Sequence, residues 1–156
     1  MNPLRRTFLK GTGAAGTLAV ALAAGLLKPG QVLAGEWNKA AFEAHGIIDA
    51  LKGIGAGSPI DSKDIAIKAP DIAENGAVVP VEVTSKIPGT EQISIVVEKN
   101  DRPLIAVFNL LNGAEGFVST RIKMSQTSAV KILVKAGGKM YTASKEVKVT
   151  IGGCGG

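Results

Sequence analysis

From residue 77 onward, apolar and polar positions alternate along the chain with the two-residue period of half-buried β-strands. Residues 77–85 put Val79, Val81 and Val83 on one face, and residues 92–98 do the same with Ile93, Ile95 and Val97. Residues 117–124 set Val118, Thr120, Ile122 and Met124 against Ser119, Arg121 and Lys123. Residues 130–136 and 146–151 repeat the pattern, the latter with Val147, Val149 and Ile151 inward. Residues 104–110 are apolar on both faces, which predicts a central strand covered from both sides. Turn pairs punctuate these runs: Asn75-Gly76, which readily takes positive φ, then Pro88-Gly89, Asn100-Asp101, Asn112-Gly113 and Gly137-Gly138. Six or seven short strands at intervals of about 10 to 14 residues predict a mainly β protein, an antiparallel sandwich of immunoglobulin type. The expectation concerns architecture only, because Trp37 precedes the strands and the single Cys follows them. Pro80 lies inside the first strong strand and predicts an edge or bulged position. A valine-flanked edge is either a docking surface or an edge blunted by proline.

The pattern before the strands is helical. Over residues 36–52, Trp37, Ala41, Ala44, Ile48 and Leu51 fall on one helix face, and Gly53 is a plausible stop. His45 sits on that helix with no Cys near it in sequence, so a metal or catalytic ligand there competes with an ordinary helix-face histidine. Residues 53–59 are a Gly/Ser/Pro connector.

The first 34 residues have the plan of an export leader. Arg5 and Arg6 precede Phe8-Leu9-Lys10, the uncharged stretch 11–27 follows, and Val32-Leu33-Ala34 forms a small-residue cleavage site. The paired arginines resemble a bacterial twin-arginine signal, which predicts cleavage after Ala34 and residence in the periplasm. As a membrane anchor, 17 Gly/Ala-rich residues are short against the roughly 20 needed to span, so no membrane attachment is expected after cleavage. The leader also corrects the charge. The whole chain carries +5, but four basic residues and no acidic ones leave with the leader, so 14 Lys+Arg face 13 Asp+Glu, a net +1. That excludes a phosphate-tracking surface and hence nucleic acid. The twin-arginine route moves folded chains. With no dinucleotide fingerprint, haem-attachment motif or metal-ligand cluster in the sequence, co-export with a folded partner subunit is the expectation.

The chemistry falls at the end of the sequence. One Cys excludes a disulfide framework and a Cys-cluster metal site. Cys154 stands in Gly152-Gly153-Cys154-Gly155-Gly156, directly after the last predicted strand. An odd Cys in an oxidising compartment either pairs between chains or serves as a reactive thiol. The glycines give such a segment wide φ/ψ freedom and a slim cross-section, which suits a thiol lowered into another protein's narrow site. A nucleophile of the chain's own would need a rigidly held base and oxyanion donors. The expected organisation is therefore a leader (1–34), a helix and connector (35–58), a sandwich (59–151) and a carrier arm (152–156). An exported binding module using Cys154 only for an intermolecular disulfide is the alternative.

The tail from Val147 to Gly156 resembles the C-terminus of the SoxY family, sulfur-carrier subunits of the thiosulfate-oxidising (Sox) system. Similarity extends to the stretch Ala69-Pro70-Asp71-Ile72-Ala73-Glu74-Asn75-Gly76-Ala77-Val78-Val79-Pro80 and to Ser119-Thr120-Arg121-Ile122-Lys123-Met124. The resemblance implies an immunoglobulin-like fold and a heterodimer with a SoxZ-like subunit. It also implies covalent attachment of sulfur intermediates to Cys154, with Gly152, Gly153, Gly155 and Gly156 lending flexibility. No intrinsic cofactor or metal is implied, and the protein is not itself an enzyme. Haem and manganese belong to partners: a haem enzyme that couples thiosulfate to the thiol and a dimanganese hydrolase that releases sulfate. In some organisms a sulfur dehydrogenase follows.

Overall fold

The computed structural model describes residues 38–111 and 113–150. The leader with Arg5, Arg6 and Ala34, together with Trp37, Ile151 and the Gly-Gly-Cys-Gly-Gly segment, lies outside the described residues. Two short helices, α1 (Lys39–Phe42) and α2 (Ile47–Gly53), precede nine strands: β1 (Ile60–Asp61), β2 (Ile65–Lys68), β3 (Ile72–Ala73), β4 (Val79–Ser85), β5 (Thr90–Val97), β6 (Leu104–Asn109), β7 (Phe117–Ile122), β8 (Ser128–Ala136) and β9 (Lys139–Val149). They form two sheets. The larger runs β1-β9-β8-β5-β6 with β3 also on β9, and the smaller runs β2-β4-β7. The chain is a mainly β, immunoglobulin-like sandwich with small N-terminal helices.

The core lies between the sheets and is built from the positions that alternation selects. Val79, Val81 and Val83 of β4 face Ile93, Ile95 and Val97 of β5 and Val130, Ile132 and Val134 of β8, all fully buried. Val118, Ile122 and Met124 close the layer from the β7 side. A second, smaller cluster lies on the outer face of the larger sheet, where Ala41 and Ala50 of the helices cover Val96, Leu104 and Leu133. This second layer explains why β5 ends in five consecutive buried residues. Its strand is covered on both faces.

Four expectations require correction. In place of one helix over 36–52 there are two, because Gly46 takes extended geometry (φ −129°, ψ 144°) and caps α2 as a fresh start. The break resets the helical phase, and Ile48, expected inward, is 65% exposed. Gly53 closes α2, but as a packing residue, since a Cβ there would lie 2.6 Å from the Ala41 Cβ. The left-handed residue is Gly55 (φ 72°). Second, β4 is the central strand of its sheet despite Pro80. The pairing with β2 stops at Lys68↔Glu82, two residues short of Pro80, so the missing N–H has no ladder partner to lose on that side. Third, β6 is an edge strand, although both its faces are covered as expected, by the inter-sheet core and by the helices. Fourth, Gly76 does not take positive φ. Asn75 shapes that turn instead, its Oδ1 accepting from Ala77 N at 2.8 Å.

Gly137 (φ 54°) and Gly138 (φ 73°) form the two-residue turn between β8 and β9, with Ala136↔Lys139 as the first pair. Two consecutive positive φ values are the signature of a type I′ hairpin, whose twist matches that of its strands.

Close packing yields a test at Gly116. Its carbonyl accepts from Ser85 N at 2.6 Å, and a Cβ would fall 2.8 Å from the Ser85 oxygen. Gly116→Ala is expected to destabilise by about 1–3 kcal/mol, read as a lowered urea midpoint with unchanged m-value. Gly57→Ala, where nothing lies within 4 Å and φ is not positive, is expected to leave the midpoint unmoved.

Candidate functional site: the root of the cysteine segment

Cys154 and its flanking glycines lie outside the described residues, so the site is built from the strand that leads to them. β9 is the longest strand among the described residues, and one side of Lys139–Val147 pairs with β8, from Ala136↔Lys139 to Ser128↔Val147. Its other side is lined by two short parallel strands in succession. β1 covers Tyr141 and Thr142, and β3 covers Lys148 and Val149.

The β3 segment works as a strap on the last residues of β9. Lys148 N donates to Asp71 O at 2.9 Å, and Thr150 N donates to Ala73 O at 3.1 Å. The Thr150 hydroxyl donates to Glu74 O at 3.1 Å, and Val149 N donates to Thr127 Oγ1 at 3.0 Å. Further back, Lys145 Nζ donates to Ala69 O at 2.6 Å and pairs with Asp71 Oδ1 at 3.0 Å, holding the approach to the strap. Ala73 is buried beneath it, in the inter-sheet core. The chain is thus held by backbone and side-chain bonds up to Thr150, and Cys154 follows four residues later. Four extended residues reach about 13–14 Å at 3.3–3.6 Å each.

Beside the strap, an open cleft of about 510 Å³ is lined by Ile67, Lys68, Ala69, Pro70, Pro80, Glu82 and Lys145. Its charges are paired within the fold, Lys68 with Glu82 at 3.4 Å and Lys145 with Asp71. Among the described residues no group of three His, Cys, Asp or Glu side chains converges to hold a metal ion. His45 lies in the bend between α1 and α2, largely exposed, with Nδ1 3.0 Å from Asp101 Oδ1. It is a surface residue hydrogen-bonded to Asp101 and, among the described residues, not part of a ligand set. Among the described residues no helix is long and apolar enough to cross a membrane.

The strap was not visible to periodicity. Strands of two residues such as β1 and β3 are too short to show a period, and Thr127, Asp71 and Glu74 contribute backbone or single hydroxyl contacts that leave no pattern. The one signal was the stretch 69–80, which carried a family resemblance without a structural role.

A family model for the sulfur oxidation protein SoxY matches residues 51–154, more than half of the chain, and its last matched residue is Cys154. The chain belongs to the SoxY family. Among solved structures it is similar to the sulfur carrier protein SoxY from Chlorobium limicola f thiosulfatophilum, at 47% identity and a TM-score of 0.59, over 67% of this chain and 96% of that one. A superoxide reductase (neelaredoxin) from Ignicoccus hospitalis also matches, at 18% identity and a TM-score of 0.49, over 55% of this chain and 79% of that one. The latter likeness is too low to carry an argument about this SoxY-family chain. No curated protein sequence matches.

The strap makes a local prediction. Thr127→Val leaves Val149 N–H without its acceptor and is expected to cost about 1–2 kcal/mol. Amide exchange at Val149 and Thr150 is expected to rise at least about tenfold, while Val96 and Ile132 in the doubly covered strands keep their protection.

Proposed function

We propose that this chain is a periplasmic sulfur carrier that holds thiosulfate-oxidation intermediates covalently on Cys154 and presents them to partner enzymes on a swinging segment. The observation that carries the reading is that the SoxY family match ends on Cys154, four residues beyond Thr150, which the β3 strap holds in place. A mobile thiol delivers its cargo reproducibly only from a fixed root. Gly152, Gly153, Gly155 and Gly156 supply the slim flanks, since residues without Cβ admit the widest backbone freedom. The twin-arginine leader with Arg5 and Arg6, cleaved after Ala34, would bring the folded carrier to the periplasm, in company with a SoxZ-like subunit.

The reaction cycle is the one that the family resemblance implies. The Cys154 thiolate joins the outer sulfur of thiosulfate in a new S–S bond. Two electrons would leave, one at a time, to the haem-bearing coupling enzyme and its own electron acceptors, and the thiol proton goes to solvent. Water then attacks the terminal sulfonate sulfur in the site of a dimanganese hydrolase, releasing sulfate and leaving a persulfide on Cys154. Where a sulfur dehydrogenase is present, it oxidises the remaining sulfane sulfur. The carrier contributes the attachment atom and its reach, and the catalysts contribute the electrophile, the metal and the electron acceptor. A free thiol titrates near 8.5 and is only a few per cent ionised at neutral pH, and on this reading the partner's site supplies the activation.

Intact mass of the protein from thiosulfate-grown cells, before and after reduction, tests the reading. Reductant-sensitive additions of sulfur or thiosulfate-derived groups, absent from Cys154→Ser, are expected. A bare thiol, or only a disulfide to another chain, would favour an exported binding module instead. Gly153→Val is expected to slow turnover by the partner enzymes without lowering the urea midpoint, and equal rates would count against the slim-segment argument.

A further inference from the structure

At the turn end of the β8–β9 hairpin the helix layer stops and the larger sheet leaves a hollow. The connector after α2 leads into β1, where Ile60 lies opposite Tyr141 near the start of β9. Between connector and hairpin is a cavity of about 330 Å³. Ile54, Ile60 and Met140 give it an apolar wall, and Lys135 and Lys139 stand in the same lining. Ile54 and Met140 pack against the cluster beneath the helices, so the hollow is the open end of that layer. Lys135 and Met140 are cross-strand partners and therefore project to one face.

The lining carries one sign of charge. The cleft beside the strap sets Glu82 among Lys68 and Lys145, whereas no Asp or Glu lines this hollow. Lys135 and Lys139 make no ion pair among the described residues. Two cations lining one cavity repel each other, and an anion between them turns that repulsion into attraction. Further donors are unused. The Gly138 N–H, in the turn at φ 73°, meets no acceptor among the described residues, and the Ser58 hydroxyl in the lining makes no hydrogen bond there. The chain's own thiol segment falls short of this place. The eleven residues of β9 separate the hollow from the strap by about 35 Å at 3.2–3.4 Å each, against about 13–14 Å for four extended residues beyond Thr150.

We infer that this hollow binds a small organic anion, its acid group held by Lys135, Lys139 and the Gly138 N–H and its apolar body laid on Ile54, Ile60 and Met140. An inorganic oxyanion would meet the lysines and leave Ile60, 51% exposed, uncovered. A neutral apolar molecule would cover Ile60 and leave the like charges facing each other. The site is independent of the carrier reading, because it lies at the opposite end of β9 from the residues that lead to Cys154.

Amide chemical shifts of the mature chain carrying Cys154→Ser, titrated at constant ionic strength with hexanoate, hexanamide and sulfate, test the site. Hexanoate is expected to give saturating shifts at Ser58, Gly138 and Lys139, with half-saturation at about 1–10 mM. Hexanamide, which lacks the charge, and sulfate, which lacks the apolar body, are each expected to bind about tenfold or more weakly. Lys135→Gln combined with Lys139→Gln is expected to weaken hexanoate by about tenfold or more with unchanged circular dichroism. Lys99→Gln combined with Lys123→Gln, at exposed positions in the loops after β5 and β7, is expected to leave binding unchanged. Should the first pair fail to fold, the three ligands compared on the unsubstituted lysines decide. Shifts that climb without saturating, shifts spread evenly over exposed lysines, equal binding of hexanamide or sulfate, or binding indifferent to the first pair would each overturn the inference.

Discussion

The β8–β9 hairpin sets the register on which the rest of the molecule depends. Gly137 and Gly138, both at positive φ, give a turn of two residues that permits only one pairing of the strands that follow. A slip by one residue would turn every side chain of β9 to the opposite face. Val147 would leave the core and Lys148 would enter it. The same register brings Lys148 and Val149 opposite Ile72 and Ala73, so the turn at one end of β9 determines what can be bonded at the other, eleven residues on.

That coupling gives the strap its meaning. Parallel pairing with a two-residue strand is weak alone, and β3 persists because Ala73 is buried in the inter-sheet core while its neighbours bond along β9. Thr127 and Thr150 add the side-chain bonds that a frayed strand end would otherwise give to water. The strand end is thus held on two sides up to Thr150, the last described residue before the glycines. A carrier in which the strand frayed gradually would spread its thiol over a larger volume and lower its effective concentration at a partner's site.

Which parts of this were legible in sequence follows from the range of the forces involved. Val79, Val81 and Val83, or Ile93, Ile95 and Val97, declare themselves because one face of each strand is buried along its whole length, and alternation records that. Residues 139–145 escaped notice as strand because Thr142, Ser144 and Lys145 interrupt the apolar rhythm. There the backbone ladder with β8 and the Thr142 hydroxyl donating to Ile132 O maintain the pairing. The helix over 36–52 looked continuous because the apolar positions kept helical spacing across Gly46, whereas the backbone restarted there. Sheet order was beyond reach, since Pro80 constrains one N–H and not the neighbours of its strand, and an apolar β6 reads alike at the centre or under a helix at the edge. The proposed role of Cys154 was put forward from composition alone, a single thiol in a glycine frame.

The order of the larger sheet bears on the proposed carrier role. On that reading, the strand leading to Cys154 serves best when its own edge is already occupied within the fold. On that edge, β1, β3 and the residues beside them bond Thr142 O, Lys148 N and Thr150 N within the fold. The opposite edge of that sheet is β6, three strands away across β8 and β5, where Leu104–Asn109 carries no charge.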